Sequence, residues 1–300
     1  MWESGCLTSH SGFIIDSNGN LWHWIHGKEN EMKMVQGDNM PFLVSVCAND
    51  KLLVALDEYG SVWRTELNPF IDVRLHRQEK YCDIIDIFIS PKQDCFYVMD
   101  MNGILWKDIG TRKKLVHPGL PPLVSCCINS LSGGIDINGF LWIWKSGKYF
   151  EKIRFEKQCV YVTCEKDEYD ELVFKVILVD GSVWKYKNGI KEKMFHSLNL
   201  PKLQNIKASG KHTLAIDIHG NIWGWGCNSH QELKMMKNSF IPMPVKLTKK
   251  SIYKSVYCVK DYSLIIDEEG KVELWHNGIP TSSKMPQAFI RMYRAKSARK

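Results

Sequence analysis

"KASGKHTLAIDIHGNIWGWGCN", residues 207–228, is the stretch on which the fold turns. Leu214, Ala215 and Ile216 run into Asp217, Ile218, His219 and Gly220, after which Ile222, Trp223 and Trp225 resume an apolar, β-prone run. That order reads as strand, tight turn, strand.

The signal recurs along the chain. "DSNGNLW" places Asp16, Gly19 and Trp22; "DEYGSVW" places Asp57, Gly60 and Trp63; "DMNGILW" places Asp100, Gly103 and Trp106; "DINGFLW" places Asp136, Gly139 and Trp142. With Gly220 and Trp223 from the opening stretch, these are five regular copies. Two more are irregular: "VDGSVW" sets Asp180 beside Gly181 before Trp184, and "DEEGKVELW" follows Gly270 with a tryptophan delayed to Trp275. The seven glycines fall 36 to 50 residues apart, about 42 on average, so one repeat accounts for nearly all 300 residues without a second domain.

Within each unit a short run such as "FLVSVCA" or "LVSCCI" precedes the apolar run into the turn, and the tryptophan strand follows it. Met40-Pro41, Pro121-Pro122, Leu200-Pro201 and Met243-Pro244 mark a shared lead into the next unit. Several short strands per 42 residues, with no helix-length amphipathic segment, predict propeller blades. A single small sheet cannot bury both its faces, whereas seven around an axis can. The expected fold is therefore an all-β, seven-bladed propeller. Glycine supplies the positive φ of the turn, and Asp bonds its own backbone there. Trp22, Trp63, Trp106, Trp142, Trp184 and Trp223 are expected to form the blade-to-blade core. Trp24, Trp144, Tyr186 and Trp225 are read as packing residues nearer a rim or central opening.

The stretch "ASGKHTLAIDIHGNIWGWGCN" resembles the repeat of the regulator-of-chromosome-condensation (RCC1-like) family. Gly210, His212, Thr213, Ala215, Gly220, Trp223, Trp225, Gly226 and Asn228 stand where the family's G-x-x-H-T-x-A-L-x-x-x-G-x-x-[WY]-x-W-G-x-N pattern needs them. The other six units match loosely, and "HQEL" replaces the family's G-Q-L-G. The resemblance implies the seven-bladed propeller and leaves function open. Members include a nuclear exchange factor for a small GTPase that also engages histones and DNA, while others are interaction modules with different partners. Similar rings include a secreted inhibitor that clasps an enzyme. His212, without a repeated partner, is read as a residue supporting its blade.

Composition narrows the setting. With 44% hydrophobic and 24% charged residues the chain has the material for an ordered core. Its 10 cysteines form no CxxC pair. Cys6, Cys47 and Cys126 stand ten residues before their repeat Asp, and Cys127 and Cys258 nine, sharing a place with alanines. They read as small buried thiols rather than disulfides or zinc ligands, as in a reducing compartment. No leader or membrane-spanning run is visible, so cytoplasm or nucleus is the expected location. No phosphate loop, dinucleotide fingerprint, nucleophile elbow or zinc motif occurs. No catalytic, cofactor-binding or metal-binding residue is assigned, and an enzyme is not expected.

The net charge of +7 is a mild bias, with clusters at "TRKK", "KLTKK" and the C-terminus. Arg291, Arg294, Lys296, Arg299 and Lys300 are the candidate contacts for nucleic acid, histones or an acidic partner, with residues 294–300 as a short basic tail. "CEKDEYDE", residues 164–171, reads as an exposed acidic loop. The leading functional reading is a monomeric interaction module presenting the loops after its tryptophan strands to a protein, such as a small GTPase or a chromatin-like complex. The alternative is a non-catalytic assembly component or a propeller-type inhibitor. "MPQAFIRMYRA" near the C-terminus resembles "MPFLVSVCA" at 40–48, so residues 286–293 are expected to join the N-terminal blade and close the ring. Removing residues 284–300 should then lower the unfolding midpoint followed by tryptophan fluorescence; an unchanged midpoint would argue against closure by that strand.

Overall fold

The computed structural model of the chain describes residues 2–26, 32–37, 40–68, 73–90, 94–110, 113–145, 149–166, 171–195, 200–209, 212–235, 238–247, 252–259, 262–269 and 271–276. The repeats become seven antiparallel blades. Blade 1 is β1 (Trp2–Leu7), β2 (Ser11–Asp16), β3 (Leu21–Ile25) and β4 (Lys33–Met34), paired in that order. Blade 2 follows with β6 (Leu43–Ala48), β7 (Leu52–Asp57), β8 (Val62–Glu66) and β9 (Arg74–Arg77); β5 (Gln36–Gly37), from the preceding connection, adds in parallel to β9. Blade 3 is β10 (Ile84–Ile89), β11 (Phe96–Asp100), β12 (Leu105–Asp108) and β13 (Lys113–Leu115). Blade 4 is β14 (Leu123–Cys127), β15 (Ser132–Asp136), β16 (Leu141–Lys145) and β17 (Tyr149–Ile153).

Blade 5 comprises β18 (Cys159–Lys166), β19 (Leu172–Leu178), β20 (Val183–Lys187) and β21 (Ile190–Lys193). Blade 6 comprises β22 (Leu203–Ser209), β23 (His212–Asp217), β24 (Ile222–Cys227) and β25 (Phe240–Lys246). Blade 7 shows three described strands, β26 (Tyr253–Val259), β27 (Tyr262–Asp267) and β28 (Val272–Trp275). The second strand of a blade is covered on both faces by neighbours, and every residue of β7 and β23 is buried. Met243 and Pro244, expected to lead into a unit, instead lie inside β25, the outer strand of blade 6. An outer strand tolerates the missing N–H of proline.

One carboxylate organises each regular turn. Oδ1 of Asp57 accepts the backbone N–H of Tyr59 (2.9 Å) and Ser61 (2.8 Å), while Oδ2 accepts the indole N–H of Trp63 at 2.9 Å. The same indole bond joins Trp22 to Asp16 (3.0 Å), Trp106 to Asp100 (2.8 Å), Trp142 to Asp136 (2.7 Å) and Trp223 to Asp217 (2.8 Å). The turn glycine then reaches the neighbouring blade. Its carbonyl accepts the N–H that opens the next blade's first strand, from Leu43 to Gly19 (3.1 Å), Ile84 to Gly60 (3.1 Å), Leu123 to Gly103 (2.8 Å), Cys159 to Gly139 (2.9 Å) and Tyr253 to Gly220 (2.9 Å). Gly19 is required twice over: its φ is +76°, and a Cβ there would stand 2.6 Å from the Phe42 Cα.

The irregular copies keep the geometry and change the chemistry. Cys159 pairs with Leu178 as Leu43 does with Asp57, so Leu178, not Asp180, occupies the aspartate position of blade 5. There Ser182 Oγ receives the Trp184 indole N–H at 3.1 Å. In blade 7 Trp275 pairs with Ser263 as Trp225 pairs with Thr213, which puts Trp275 at the second aromatic position; Glu273 stands where the first tryptophan would be. Gly270 lies outside the described residues.

This register gives the two rows of aromatics different degrees of burial, although Trp22, Trp63, Trp106, Trp184 and Trp223 all pack on the core clusters. Trp24, Trp144, Tyr186, Trp225 and Trp275, eight residues beyond the turn's aspartate position, are buried. Of the first-position tryptophans only Trp63 is buried, while Trp22, Trp106, Trp142, Trp184 and Trp223 are half-buried. Reaching back to the turn carboxylate leaves the first indole partly exposed in blades 1, 3, 4 and 6, whereas in blade 2 Trp63 both bonds Asp57 and is buried. Trp24 seats directly against a glycine; a Cβ on Gly12 would fall 1.9 Å from its ring. Blade 3 carries Asp108 at this buried place, bonded by the Tyr81 hydroxyl (2.6 Å) and faced by Lys80 (2.5 Å) and Arg64 (3.6 Å). Three partners offset the cost of burying that charge.

Blades 7 and 1 meet through Leu264, Ile266, Val272 and Leu274 against Leu7, Ile14 and Trp24. His26 of blade 1 stacks on Tyr262 of blade 7 at 4.2 Å between ring centroids, and Tyr262 on His276 at 4.0 Å. The first strand of blade 1 is Trp2–Leu7, paired antiparallel with β2. Residues 286–293, expected to close the ring, lie outside the described residues.

Replacing Asp57 by Ala removes the turn caps and the Trp63 bond together and is expected to cost about 2–3 kcal/mol, the order for hydrogen bonds to a charged group, read from urea unfolding. Asp217 gives the pH dependence. Burial pushes its carboxyl up, but bonds from Trp223, Asn221 and His219 outweigh burial and leave it below the ordinary carboxylate range. Its contribution is therefore present above about pH 4 and is lost as pH falls through the lowered folded value. Asp217→Asn should flatten the acid limb of a stability–pH profile; an equally steep limb would contradict this linkage.

Candidate binding face and axial channel

The strand register gives the ring two unlike ends. One carries the aspartate–glycine turns; the other carries the hairpins between first and second strands and the loops after the tryptophan strands. At the hairpin end, neighbouring blades are cross-linked by polar contacts. Asp50 accepts the Ser9 N–H at 2.7 Å, Asn49 Nδ2 donates to the Ser90 carbonyl at 2.8 Å, and Lys51 pairs with Asp94 at 3.0 Å. His212 is buried there: its Nε2 donates at 2.9 Å to Ser263 Oγ, whose hydroxyl is spent on the Glu232 carbonyl at 2.8 Å. Asn228 holds the loop after the tryptophan strand of blade 6, donating to the carbonyls of Met235 (2.6 Å) and Asn238 (2.7 Å) and accepting from the Leu233 N–H at 2.9 Å.

The sequence-derived charge clusters are placed unevenly. Arg291, Arg294, Lys296, Arg299 and Lys300 lie outside the described residues, as do Thr111, Arg112 and residues 248–250. Lys113 lies 4.8 Å from the Trp106 ring centroid. The acidic segment is not simply an exposed loop. Glu165 belongs to β18 and is largely buried, paired with Lys175. Lys175 also donates to Thr213 at 2.5 Å, tying blade 5 to blade 6. Glu171 pairs with Lys187 at 2.5 Å.

The turn end carries a surface the sequence reading passed over. The residue after the turn's aspartate position is exposed and apolar in four successive blades: Met101 (67% exposed), Ile137 (76%), Val179 (44%) and Ile218 (51%). The second residue of the first strand is likewise apolar and exposed in blades 2 to 5, as Val44, Ile85, Val124 and Val160. One backbone bond brings the two rows together. The Met101 N–H donates to the Asp83 carbonyl, the Val179 N–H to Gln158 and the Ile218 N–H to Lys202, each within the same blade. Tyr59 and Phe42 extend this crescent at one end and Ile252 at the other. Blade 7 ends it with exposed Lys254, Glu268 and Glu269. The signal was present in the motifs themselves, where "DMNG", "DINGF" and "DIHG" put a large apolar residue on a turn that needs none. Apolar patches of this extent with a polar border mark association surfaces.

The first strands of all seven blades surround an axial cavity of about 410 Å³. Its wall includes Cys6, Cys47, Asp86, Phe88, Cys127, Thr163, Asn205, Lys207 and Tyr257. All ten cysteines are free thiols. The register makes Cys127, rather than Cys126, the counterpart of Cys6 and Cys47, because the β14–β15 hairpin is one residue shorter than those of blades 1 and 2. Burial pushes the thiols of Cys6, Cys47 and Cys127 up. They are neutral wall groups rather than nucleophiles. Among the described residues no group of three or more His, Cys, Asp or Glu is placed to hold a metal ion, and no helix is long and apolar enough to cross a membrane.

Comparison with known proteins bears on both the repeat and the ring. Residues 204–232 match the family described as Regulator of chromosome condensation (RCC1) repeat. The "RCC1 domain-containing protein RUG3, mitochondrial" of Arabidopsis thaliana is 33% identical over 84 residues, 27% of this chain, and the match spans about a fifth (19%) of that protein's length. Human WBSCR16 has a similar fold, with a TM-score of 0.72 at 11% identity, over 89% of this chain and 87% of that one. Prp20p of Saccharomyces cerevisiae, a structure described together with its binding to Gsp1p and histones, gives a TM-score of 0.66 at 12% identity over 90% and 81%. Yeast RCC1 (Prp20) is also known bound to Kap60. At these identities the likeness establishes the fold.

Proposed function

We propose that this RCC1-like repeat propeller is a non-catalytic interaction module that binds a protein through the apolar crescent on its turn end. The observation that carries the reading is the run of Met101, Ile137, Val179 and Ile218 in four adjoining blades, reinforced by Val44, Ile85, Val124 and Val160 beside the axis. Turn residues are normally polar, and exposed apolar side chains there add nothing to the core they overhang. Protein association repays their hydration. The ring holds them on hydrogen-bonded turns, so little order has to be acquired on binding.

The finer reading is that the partner is a small GTPase, which the propeller would hold in its nucleotide-free state. The repeat resemblance supports this, as does the likeness to Prp20p, a protein described with Gsp1p binding. An exchange factor works by binding one state of its partner better than another and needs no covalent chemistry. Histones or nucleic acid remain the reading attached to Arg291, Arg294, Lys296, Arg299 and Lys300. The expected cytoplasmic or nuclear setting stands beside a relative whose name is mitochondrial. Captures from separate cytosolic, nuclear and mitochondrial extracts under reducing conditions distinguish these compartments.

Ile137→Glu combined with Val124→Glu should weaken the captured partner by at least about tenfold, as loss of a central apolar contact does. The unfolding midpoint should stay within a degree or two of wild type, because Ile137 is 76% and Val124 57% exposed. Undiminished capture by the double variant would remove the crescent as the binding surface. Release of labelled nucleotide from a captured GTPase would support exchange; stable binding without release would support the adaptor or inhibitor reading.

A further inference from the structure

The axial cavity has two chemically different walls. On blades 5 to 7 the lining is polar: Thr163, Asn205, Lys207, Ser255 and Tyr257. On blades 1 to 4 the thiols of Cys6, Cys47 and Cys127 and the ring of Phe88 join Ser4, Ser45 and one acid, Asp86. Asp86 belongs to blade 3 and Lys207 to blade 6, so the two charges lie across the axis of a seven-membered ring. Among the described residues they are the only charged ones lining the cavity.

Neither charge is satisfied by an ion pair within 4 Å among the described residues. Asp86 Oδ1 accepts the Ile87 N–H at 2.8 Å, and the Lys207 ammonium lies 5.4 Å from the Tyr161 ring centroid. Asn205 Oδ1, on the same wall as Lys207, is buried without a hydrogen-bond partner in the protein. Tyr161, followed by Tyr257 and Asp86, keeps the Lys207 ammonium charged against its burial, while burial pushes the Asp86 carboxyl up. The two charges attract each other across the cavity and Tyr161 supports the ammonium, but burial still prevails at Asp86. A cavity of about 410 Å³ falls within the usual range of small-molecule sites, roughly 300–1,000 Å³.

We propose that the axial channel is a binding site for a small zwitterion of the amino-acid class, its carboxylate held by Lys207 and its ammonium by Asp86. The thiol and Phe88 side of the wall takes the apolar body of such a molecule. A simple carboxylate would satisfy Lys207 and leave Asp86 unmet; a simple amine would do the reverse. The site is independent of the crescent, so the failure of one reading leaves the other standing.

The test uses the purified full chain in reducing buffer, with calorimetry and saturation-transfer NMR. The probes are glycine, leucine and γ-aminobutyrate, with acetate and methylamine as half-ligands. At least one zwitterion is expected to bind with a Kd below about 1 mM, and both half-ligands at least about tenfold more weakly, because each leaves one buried charge unmet. Asp86→Asn and Lys207→Met should each cost tenfold or more in that affinity. Should either destabilise the ring, Asp86→Glu and Lys207→Arg, which keep the charges and move them, are expected to shift the preference among the three zwitterions. Absence of binding by all three, acetate binding as tightly as the best of them, or affinity unaltered in these variants would overturn the proposal.

Discussion

A propeller of small sheets depends on how each turn is fastened, because every blade must present a fixed edge to the next before any side chains can interlock. Here the fastening is a single buried carboxylate. In blade 2, one oxygen of Asp57 takes the turn's N–H groups and the other takes an indole N–H from the following strand. The turn so fixed points the glycine carbonyl outward to the next blade, where the first strand's opening N–H meets it. Local sequence, strand pairing and inter-blade geometry are thereby determined by the same few atoms. A charged acceptor holding several donors is among the stronger polar devices available to a protein.

The irregular blades show which part of this device is indispensable. Blade 5 replaces the aspartate by Leu178 and lets Ser182 take the indole, and blade 7 replaces the first tryptophan by Glu273. The strand order survives both changes, since backbone bonds and buried aliphatic residues carry it. Blade 3 exchanges its second aromatic for Asp108 and compensates with Tyr81, Lys80 and Arg64. The side-chain signature is thus one of several local solutions to a constraint set by the backbone. This is why one repeat, at 204–232, still matches a family pattern while the ring as a whole retains the fold.

The period, the glycine positions and the number of blades could be read from sequence because a tight turn requires glycine and a blade requires a fixed length. The roles of the tryptophans could not. Trp22 and Trp24 are two residues apart on β3 and share a strand face; their roles are set by distance from the turn, Trp22 standing close enough for its N–H to reach Asp16 and Trp24 seating over Gly12. The displacement of Cys126 from the register of Cys6 and Cys47 came from a hairpin shorter by one residue, which counting from the aspartate conceals. The apolar crescent was visible in residues such as Ile137 and Ile218, but its meaning required knowing that the turns of successive blades adjoin. Asp86 and Lys207 lie 121 residues apart in the sequence, and no linear motif announces that a ring sets them face to face.

The close seats between glycines and large side chains carry a consequence for how such a ring can change over evolutionary time. Gly12 makes room for Trp24 within its own blade, whereas Gly133 of blade 4 makes room for Phe174 of blade 5, where a Cβ would lie 2.6 Å from the ring. The first kind of fit travels with a duplicated unit. The second is a lock whose two halves reside in different units. Copying or transposing blade 4 without blade 5 would put its glycine against the wrong key, so the repeats, although descended to a common pattern, are no longer interchangeable parts and their order around the ring is itself an inherited trait.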